Sequence, residues 1–178
     1  MKSHGSGLPP WDFRSLGDGV VFETGALVFH PETVSIGADC YVGHYAILKG
    51  YYRNEMRIGA GSWIGQAAFL HSAGGLTIGD AVGIGPGVKI LTSAHDLASE
   101  PDRPIMHRPL AFAPVVIGDG CDLGAGAVIL PGVELGERVQ VGAGAVVTKS
   151  FGSDQTLVGV PARSVGRSDT DFGSENPS

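Results

Sequence analysis

The chain has 178 residues and a formal net charge of −6 at pH 7, and 29 of its residues are Gly. An acidic surface of this kind argues against binding to nucleic acid or to an anionic membrane. No run of 18 apolar residues exists and no charged-then-apolar leader begins the chain, so we expect a cytoplasmic protein without membrane insertion.

A large apolar residue recurs every six positions between residues 16 and 147. These 18 anchors form six triplets. The spacing between successive anchors departs from six residues only between one triplet and the next, and the largest departure is 21 extra residues after Ile90. A hydrophobic content of 43% would place only about eight apolar residues at 18 positions, so the period is a real signal. The anchors are Leu16, Phe22, Val28, Ile36, Val42, Leu48, Ile58, Ile64, Leu70, Ile78, Ile84, Ile90, Ile117, Leu123, Ile129, Leu135, Val141 and Val147.

Two further columns accompany the anchors. Gly follows 11 of the 12 anchors in first and second hexads, and a small side chain lies four positions after all 12. Because Gly accepts backbone angles that other residues resist, and only small groups fit inside a narrow bend, the pattern predicts short strands joined by tight corners. Three hexads per turn predict an all-β parallel β-helix of about six triangular rungs, stacked roughly 4.8 Å apart.

The repeat predicts one β-helix domain over residues 15–167. Residues 1–14 should form an N-terminal cap, partly disordered at Met1–Gly7, and the segment after Val147 should cover the top. Residues 168–178 are rich in Ser, Gly and Asp and are expected to be a disordered tail. Cys40 and Cys121 fall in the small inward column, so we expect buried reduced thiols rather than a disulfide.

The most specific part of the repeat is PVVIGDGCDLGAGAVILPGVELGERVQVGAGAVVTKS at Pro114–Ser150, followed by GVPAR at Gly159–Arg163. Over roughly residues 15–167 the chain resembles the hexapeptide-repeat acyltransferases, and within them the acetyl-CoA-dependent branch that acts on sugars and xenobiotics. The resemblance implies a left-handed coil and acetyl-CoA as the acyl donor. It also implies a homotrimer whose active sites lie between neighbouring prisms.

The one long insertion, residues 92–113, is expected to protrude as a loop and to carry the chemistry, because long ordered loops are usually functional. It contains His95 and His107. The resemblance implies that His95, in the context TSAHD, is the general base; His107 is the less favoured candidate. An imidazole with a pKa near 6.5 can take a proton from an attacking alcohol and return it to the leaving thiolate.

Three further residues are candidates for acceptor binding. His71 lies one rung beneath the root of the loop and is either a substrate contact or an ordinary surface imidazole. Asp96 either orients His95 or simply solvates the loop. Asp122 stands where many sugar acetyltransferases of this family have Trp, while Trp63 occupies the same column two rungs lower. We therefore do not expect the acceptor packing that the family attributes to that Trp, and Asp122 becomes a candidate for a polar contact with the acceptor.

The candidates for acetyl-CoA binding lie in the rungs beyond the loop. The resemblance implies that the backbone N–H of Ala125 stabilises the oxyanion and that the backbone of Ala143 pairs with the pantetheine amide; plain corner geometry is the alternative for both. Basic residues after Thr148 offer a patch for the phosphates of coenzyme A. The positions assigned to the cofactor are Ala125, Ala143, Thr148, Lys149, Arg163 and Arg167.

These observations predict an acetyl-CoA-dependent O-acetyltransferase that acts on a hydroxyl of a sugar or glycan precursor by direct transfer in a ternary complex. An amine or serine as acceptor is an alternative within the same chemistry. A non-catalytic β-helix scaffold is a second alternative. A zinc-dependent γ-type carbonic anhydrase is the third, but none of the six His residues are five positions apart, so no metal is expected.

Overall fold

The computed structural model describes residues 7–167, apart from Leu97, Ser99, Pro101 and the side chain of Arg167. The chain winds through three parallel sheets that form the sides of a prism. The first side contains β1 (Ser15–Leu16), β4 (Val34–Ile36), β7 (Met56–Ile58), β10 (Leu76–Ile78), β15 (Val115–Ile117) and β18 (Glu134–Leu135). This architecture is the predicted parallel β-helix, and it is consistent with a left-handed coil.

The other two sides continue each rung. The second side contains β2 (Val21–Phe22), β5 (Tyr41–Val42), β8 (Trp63–Ile64), β11 (Gly83–Ile84), β16 (Asp122–Leu123), β19 (Gln140–Val141), β21 (Gln155–Val158) and β22 (Arg163–Arg167). The third contains β3 (Leu27–Phe29), β6 (Ile47–Lys49), β9 (Phe69–His71), β12 (Lys89–Ile90), β17 (Val128–Ile129) and β20 (Val146–Val147). Two short 3-10 helices, Pro31–Thr33 and Ile105–His107, are the only helices among the described residues.

The prism extends beyond the six predicted rungs into an incomplete seventh. Phe151 forms a parallel bridge with Leu135, and β21 pairs in parallel with β19. The chain then reverses, and β22 pairs antiparallel with β21 along the top of the second side. The hexad count missed this turn because the segment after Val147 does not repeat the anchor spacing.

The core consists of the anchor side chains, as the period predicts. Sixteen of the 18 anchors are at most 3% exposed, and each buried aliphatic side chain contributes about 1.5–3 kcal/mol to folding. Leu16 contradicts the prediction, since it is 48% exposed. Leu16 belongs to the first rung, and no further rung lies beneath that rung to cover it. Phe22 in the same rung is only partly buried and packs against Trp11 and Phe13, with ring centroids 4.8 and 5.5 Å away.

The glycines that follow the anchors allow the backbones of neighbouring rungs to approach closely, and they are not needed for unusual backbone angles. None of them has a positive φ; that conformation falls on later corner residues such as Gly126. A Cβ atom on Gly124 would lie 2.6 Å from the backbone nitrogen of Ala143 in the next rung. The predicted reason for this column was therefore wrong, although the column itself marks the rungs correctly.

The small inward column is buried as predicted, except for Val20 in the first rung, which is only partly buried. Cys40 and Cys121 are free thiols, each 1% exposed, and their Sγ atoms lie 3.1 and 3.0 Å from the backbone oxygens of Gly59 and Gly136. In the described part of the chain, no helix is long and apolar enough to cross a bilayer. The expected tail at 168–178 lies outside the described residues, as does most of Met1–Gly7.

Candidate active site

The long insertion is a hairpin that leaves the prism between the third and first sides. Its arms are β13 (Ser93–His95) and β14 (Leu110–Phe112), which pair antiparallel with His95 opposite Leu110. Near the tip, the guanidinium of Arg103 donates to the carboxylate of Glu100 at 2.5 Å. The two arms of the insertion are thus held by strand pairing, which is a condition for holding a catalytic group in place.

Thr92 fastens the root of this hairpin. Its side chain is fully buried, its hydroxyl donates to the backbone oxygen of His71 at 2.9 Å, and it accepts from the N–H of Gly74 at 2.9 Å. Its own backbone oxygen accepts from the N–H of Ala113 at 3.0 Å, where the second arm ends. One residue therefore joins both arms to the rung beneath.

His95 is half-buried at the end of β13. Its Nδ1 atom lies 3.4 Å from the backbone oxygen of Arg108. A carbonyl oxygen can only accept, so this long contact favours the neutral tautomer with the proton on Nδ1 and the lone pair on Nε2. An imidazole in this tautomer is suited to remove a proton from a substrate at Nε2.

The other loop residues have separate contacts. Asp96 follows β13, and its Oδ1 atom accepts from the N–H of Ala98 at 2.9 Å, as in an Asx turn. This contact orders the hairpin backbone. His107 ends the 3-10 helix near the tip and is exposed.

His71 lies under the root of the hairpin. Its Nδ1 atom is 3.3 Å from the Thr92 hydroxyl, whose remaining lone pair can accept the Nδ1 proton, so that Nε2 carries no proton in the neutral ring. Burial lowers the pKa of His71, and the charge of Lys49 in the rung below lowers it further. His71 is therefore a neutral imidazole at physiological pH, enclosed more than its predicted outward direction suggests.

A second group of predicted residues lies on the second side of the prism. Asp122 on β16 and Ala143 line one cleft of about 260 Å³, together with Gly124, Gln140, Val141, Gly142 and Thr156. The N–H groups of Ala125 and Ala143 donate to no acceptor among the described residues. These two donors lie one rung apart, as the N–H of Gly144 donates to the oxygen of Ala125 at 2.9 Å.

The basic residues all lie near the top of the prism but are spread out. The Lys149 ammonium lies 5.4 Å from the centre of the Phe151 ring. Arg163 is exposed and starts β22, while Arg167 ends it, so their backbones are ~13 Å apart along the strand. Thr148 is exposed just after β20. A ligand contacting all of them must extend over the cap.

The structure brings His95, Asp96 and His71 to the hairpin edge, and it brings Asp122 and Ala143 to the cleft. Within the described part of a single chain, no contact joins the two groups. The sequence prediction missed Thr92, the residue that fastens the hairpin. It also missed Tyr51, from the four-residue insertion after Leu48, whose ring lies 6.4 Å from both His71 and Phe112. Tyr51 could have been found from the sequence, because the insertions after Leu48 and after Ile90 both follow the third anchor of a triplet and so leave the prism from the same corner.

Comparison with known proteins agrees with the predicted repeat family. The family model described as the hexapeptide repeat of succinyl-transferase matches residues 114–149. The predicted resemblance to the hexapeptide-repeat acyltransferases is confirmed. The chain is 38% identical over 104 residues to a serine acetyltransferase of Buchnera aphidicola, covering 58% of this chain and 36% of that protein. It is 34% identical over 88 residues to the galactoside O-acetyltransferase of Escherichia coli, covering 49% and 42%.

The fold similarity extends further along the chain. AntD, an N-acyltransferase from Bacillus cereus solved in complex with dTDP and 3-hydroxybutyryl-CoA, superposes with a TM-score of 0.77 at 26% identity, covering 87% of this chain and 83% of AntD. The chain spans between 36% and 60% of the length of the curated acetyltransferases it matches.

Proposed function

We propose that this protein is an acetyl-CoA-dependent O-acetyltransferase that acts on a hydroxyl of a sugar or glycan precursor. The single observation that carries the proposal is the ordered hairpin that presents the Nε2 lone pair of His95, with Nδ1 tied to the backbone oxygen of Arg108. The hexapeptide-repeat relatives, among them a galactoside O-acetyltransferase, support the reaction class.

The reaction is direct transfer in a ternary complex. The acceptor hydroxyl gives its proton to Nε2 of His95 as its oxygen attacks the thioester carbonyl carbon. The carbon–sulfur bond then breaks, and the imidazolium gives its proton to the leaving thiolate, which becomes the thiol of coenzyme A. The products are the acetyl ester and coenzyme A. Neither Cys40 nor Cys121 takes part, since burial raises the pKa of both thiols and only a thiolate is a good nucleophile.

Backbone groups stabilise the negative charge that gathers on the carbonyl oxygen. The N–H of Ala125 is the proposed oxyanion donor, and its freedom from protein acceptors supports this role. The N–H of Ala143, one rung above, is the proposed partner of a pantetheine amide. The backbone is accessible there because the neighbouring corners contain Gly124 and Gly142, so a thin chain can lie along the cleft.

The phosphates of the donor require positive charge on an acidic protein. Lys149, Arg163 and Arg167 at the top of the prism are the proposed contacts, with the hydroxyl of Thr148 beside them. Their spread over the cap suits a long ligand with separate phosphate groups, such as coenzyme A.

The proposed assembly is a homotrimer in which a neighbouring prism completes each active site. The hairpin carries exposed apolar side chains, including Met106 at 68% exposure, with Ile105, Leu110 and Phe112 nearby. Apolar surface on an ordered arm suits contact with another chain. A shared site also explains why His95 and Asp122 do not meet within one chain.

The experiment is thiol release from acetyl-CoA in the presence of a panel of nucleotide sugars, amino sugars and neutral glycans. We expect release with at least one acceptor, together with a product heavier by one acetyl group. An absence of release with every acceptor, combined with an absence of coenzyme A binding by calorimetry, would favour the scaffold alternative. Zinc measured in the purified protein at one ion per chain would favour the carbonic anhydrase alternative.

An amine acceptor is the second candidate function, favoured by the similarity to the N-acyltransferase AntD. The two products differ in stability, because an acetyl ester is cleaved by alkaline hydroxylamine and an acetamide is not. We expect the product to lose its acetyl group in hydroxylamine. A product that resists this treatment would replace O-transfer by N-transfer.

A further inference from the structure

An aromatic slot lies on the second side of the prism, directly below the cleft that Ala143 lines. Tyr41 and Trp63 are cross-strand neighbours on β5 and β8, and their rings stack with centroids 5.7 Å apart and an interplanar angle of 5°. The Tyr41 hydroxyl lies beside the side chain of Glu23 from the rung below and that of Gln66 from the rung above, so this ring has polar neighbours on both sides. Trp63 nevertheless remains 39% exposed, so part of the indole is accessible to a ligand.

The next position in this outward column is Gly83, which pairs directly with Trp63 and with Asp122. On the parallel strands of this side it is the only glycine in the column, and the other positions are Val21, Tyr41, Trp63, Asp122, Gln140 and Thr156. A Cβ atom on Gly83 would lie 2.9 Å from Oδ1 of Asp122 and at least 4.0 Å from Trp63. The Asp122 carboxylate therefore leans over the gap, whereas the indole does not close it.

The slot thus has three walls: the Trp63 ring below, the Gly83 backbone behind and the Asp122 carboxylate above. Trp63 and Asp122 are two rungs apart, about 9.6 Å between their backbones, which leaves room for one ring on the indole. The Asp122 carboxylate and the Trp63 indole N–H have no hydrogen-bond partner among the described residues. A ring lying on Trp63 would meet an acceptor above it and a donor at its edge.

We infer that this slot is a subsite for one neutral sugar ring of the acceptor. A flat indole packs against the apolar C–H face of a pyranose, and a carboxylate accepts from its hydroxyl groups. The column contains one carboxylate and no Lys or Arg, which disfavours a phosphate. Asp122 also lines the cleft proposed for the pantetheine arm, so a sugar in the slot lies next to the acyl donor. The inference rests on the proposed function for the choice of a sugar.

The test uses the Trp11→Phe variant of the full chain, in which Trp63 is the only indole. Neutral methyl pyranosides and their di- and trisaccharides are titrated without acetyl-CoA while Trp63 fluorescence is recorded. We expect a saturable change with at least one sugar. Gly83→Val in the same background should weaken this binding at least tenfold, because the new side chain fills the slot and is compatible with a strand.

The matched control is Thr77→Val, which places the same side chain on an exposed position of the first side in the same rung. It should bind the sugar as the background variant does. Asp122→Ala should weaken binding about tenfold through loss of charged hydrogen bonds. A response to tetramethylammonium with no response to any sugar, or unchanged sugar binding in Gly83→Val, would overturn the inference.

Thiol release is measured on the same variants to separate the two claims. Sugar binding without thiol release from any acceptor would retain the subsite and refute the proposed function. Thiol release that is unchanged in Gly83→Val, with no fluorescence response to sugars, would retain the function and refute the subsite.

Discussion

The hydroxyl of Thr92 donates to the backbone oxygen of His71 at 2.9 Å and thereby joins the base of the hairpin to the rung below. The same hydroxyl also accepts from the N–H of Gly74. All three groups are shielded by the hairpin root, so water cannot easily replace a lost partner. The position of His95, three residues further along, depends on this joint.

Thr92→Val removes the hydroxyl with little change in shape and leaves the Gly74 N–H and the His71 oxygen without their partner. We expect the free energy of unfolding to fall by about 1–3 kcal/mol, because unsatisfied buried polar groups are costly. Urea denaturation followed by circular dichroism measures this change. Thr92→Ser keeps the hydroxyl and loses only a methyl group, so it should cost about 0.8 kcal/mol. Equal losses in both variants would contradict the proposed role of the hydroxyl.

His71 should make stability depend on pH. Burial, and secondly the charge of Lys49, lower its pKa in the folded state below 6.5. Below pH 6.5 the unfolded chain therefore binds a proton that the folded chain does not, and the free energy of unfolding decreases as the pH falls. Above pH 6.5 His71 does not lower the free energy of unfolding. As the pH falls from 6.5 towards the pKa of His71 in the folded state, its protonation in the unfolded chain lowers that free energy progressively.

Urea midpoints of the wild type and of His71→Asn, compared at about pH 7.5 and about pH 5.5, test this linkage. The wild type should lose more stability on acidification than the variant. Lys49→Met retains the imidazole and removes the neighbouring positive charge, which is the second cause of the lowered pKa. Its loss of stability on acidification should therefore lie between those of the wild type and His71→Asn. If His71→Asn loses as much stability on acidification as the wild type, the titrating group is not His71.

The two thiols should be unreactive in the folded protein. Burial raises the pKa of Cys40 and Cys121, and each is 1% exposed, so the thiolate is both scarce and inaccessible. Ellman's reagent should therefore titrate no thiol in buffer and two in guanidinium chloride. Fast reaction in buffer that also abolished acetyl transfer would instead support a covalent acyl-cysteine intermediate.

Much of the fold was predictable from sequence because each rung is local. The anchors from Val28 to Val147 lie in the core since a period of six repeats the same inward position on every side. The prediction that Leu16 is buried was wrong because burial in the terminal rung of a solenoid depends on which residues cover that rung. Trp11 and Phe13 cover Phe22 instead, and no spacing rule contains that information.

The candidate site was predictable only in outline. The insertion and His95 could be located from a break in the repeat together with the resemblance. The tautomer of His95 depends on Arg108, thirteen residues away across the hairpin. The contact of Tyr51 with Phe112 joins two insertions that are remote in sequence. Such contacts depend on how the loops fold back on the prism, and the repeat does not encode that.

The most direct test of the account is thiol release from acetyl-CoA by His95→Ala, assayed with the acceptor identified for the wild type. We expect turnover to fall by at least ~100-fold, in keeping with the usual contribution of a general base, while the thermal midpoint and oligomeric state stay unchanged. His107→Ala, in the same hairpin, should retain activity. A His95→Ala protein that turns over at the wild-type rate would contradict the central claim that this imidazole accepts the proton of the attacking hydroxyl.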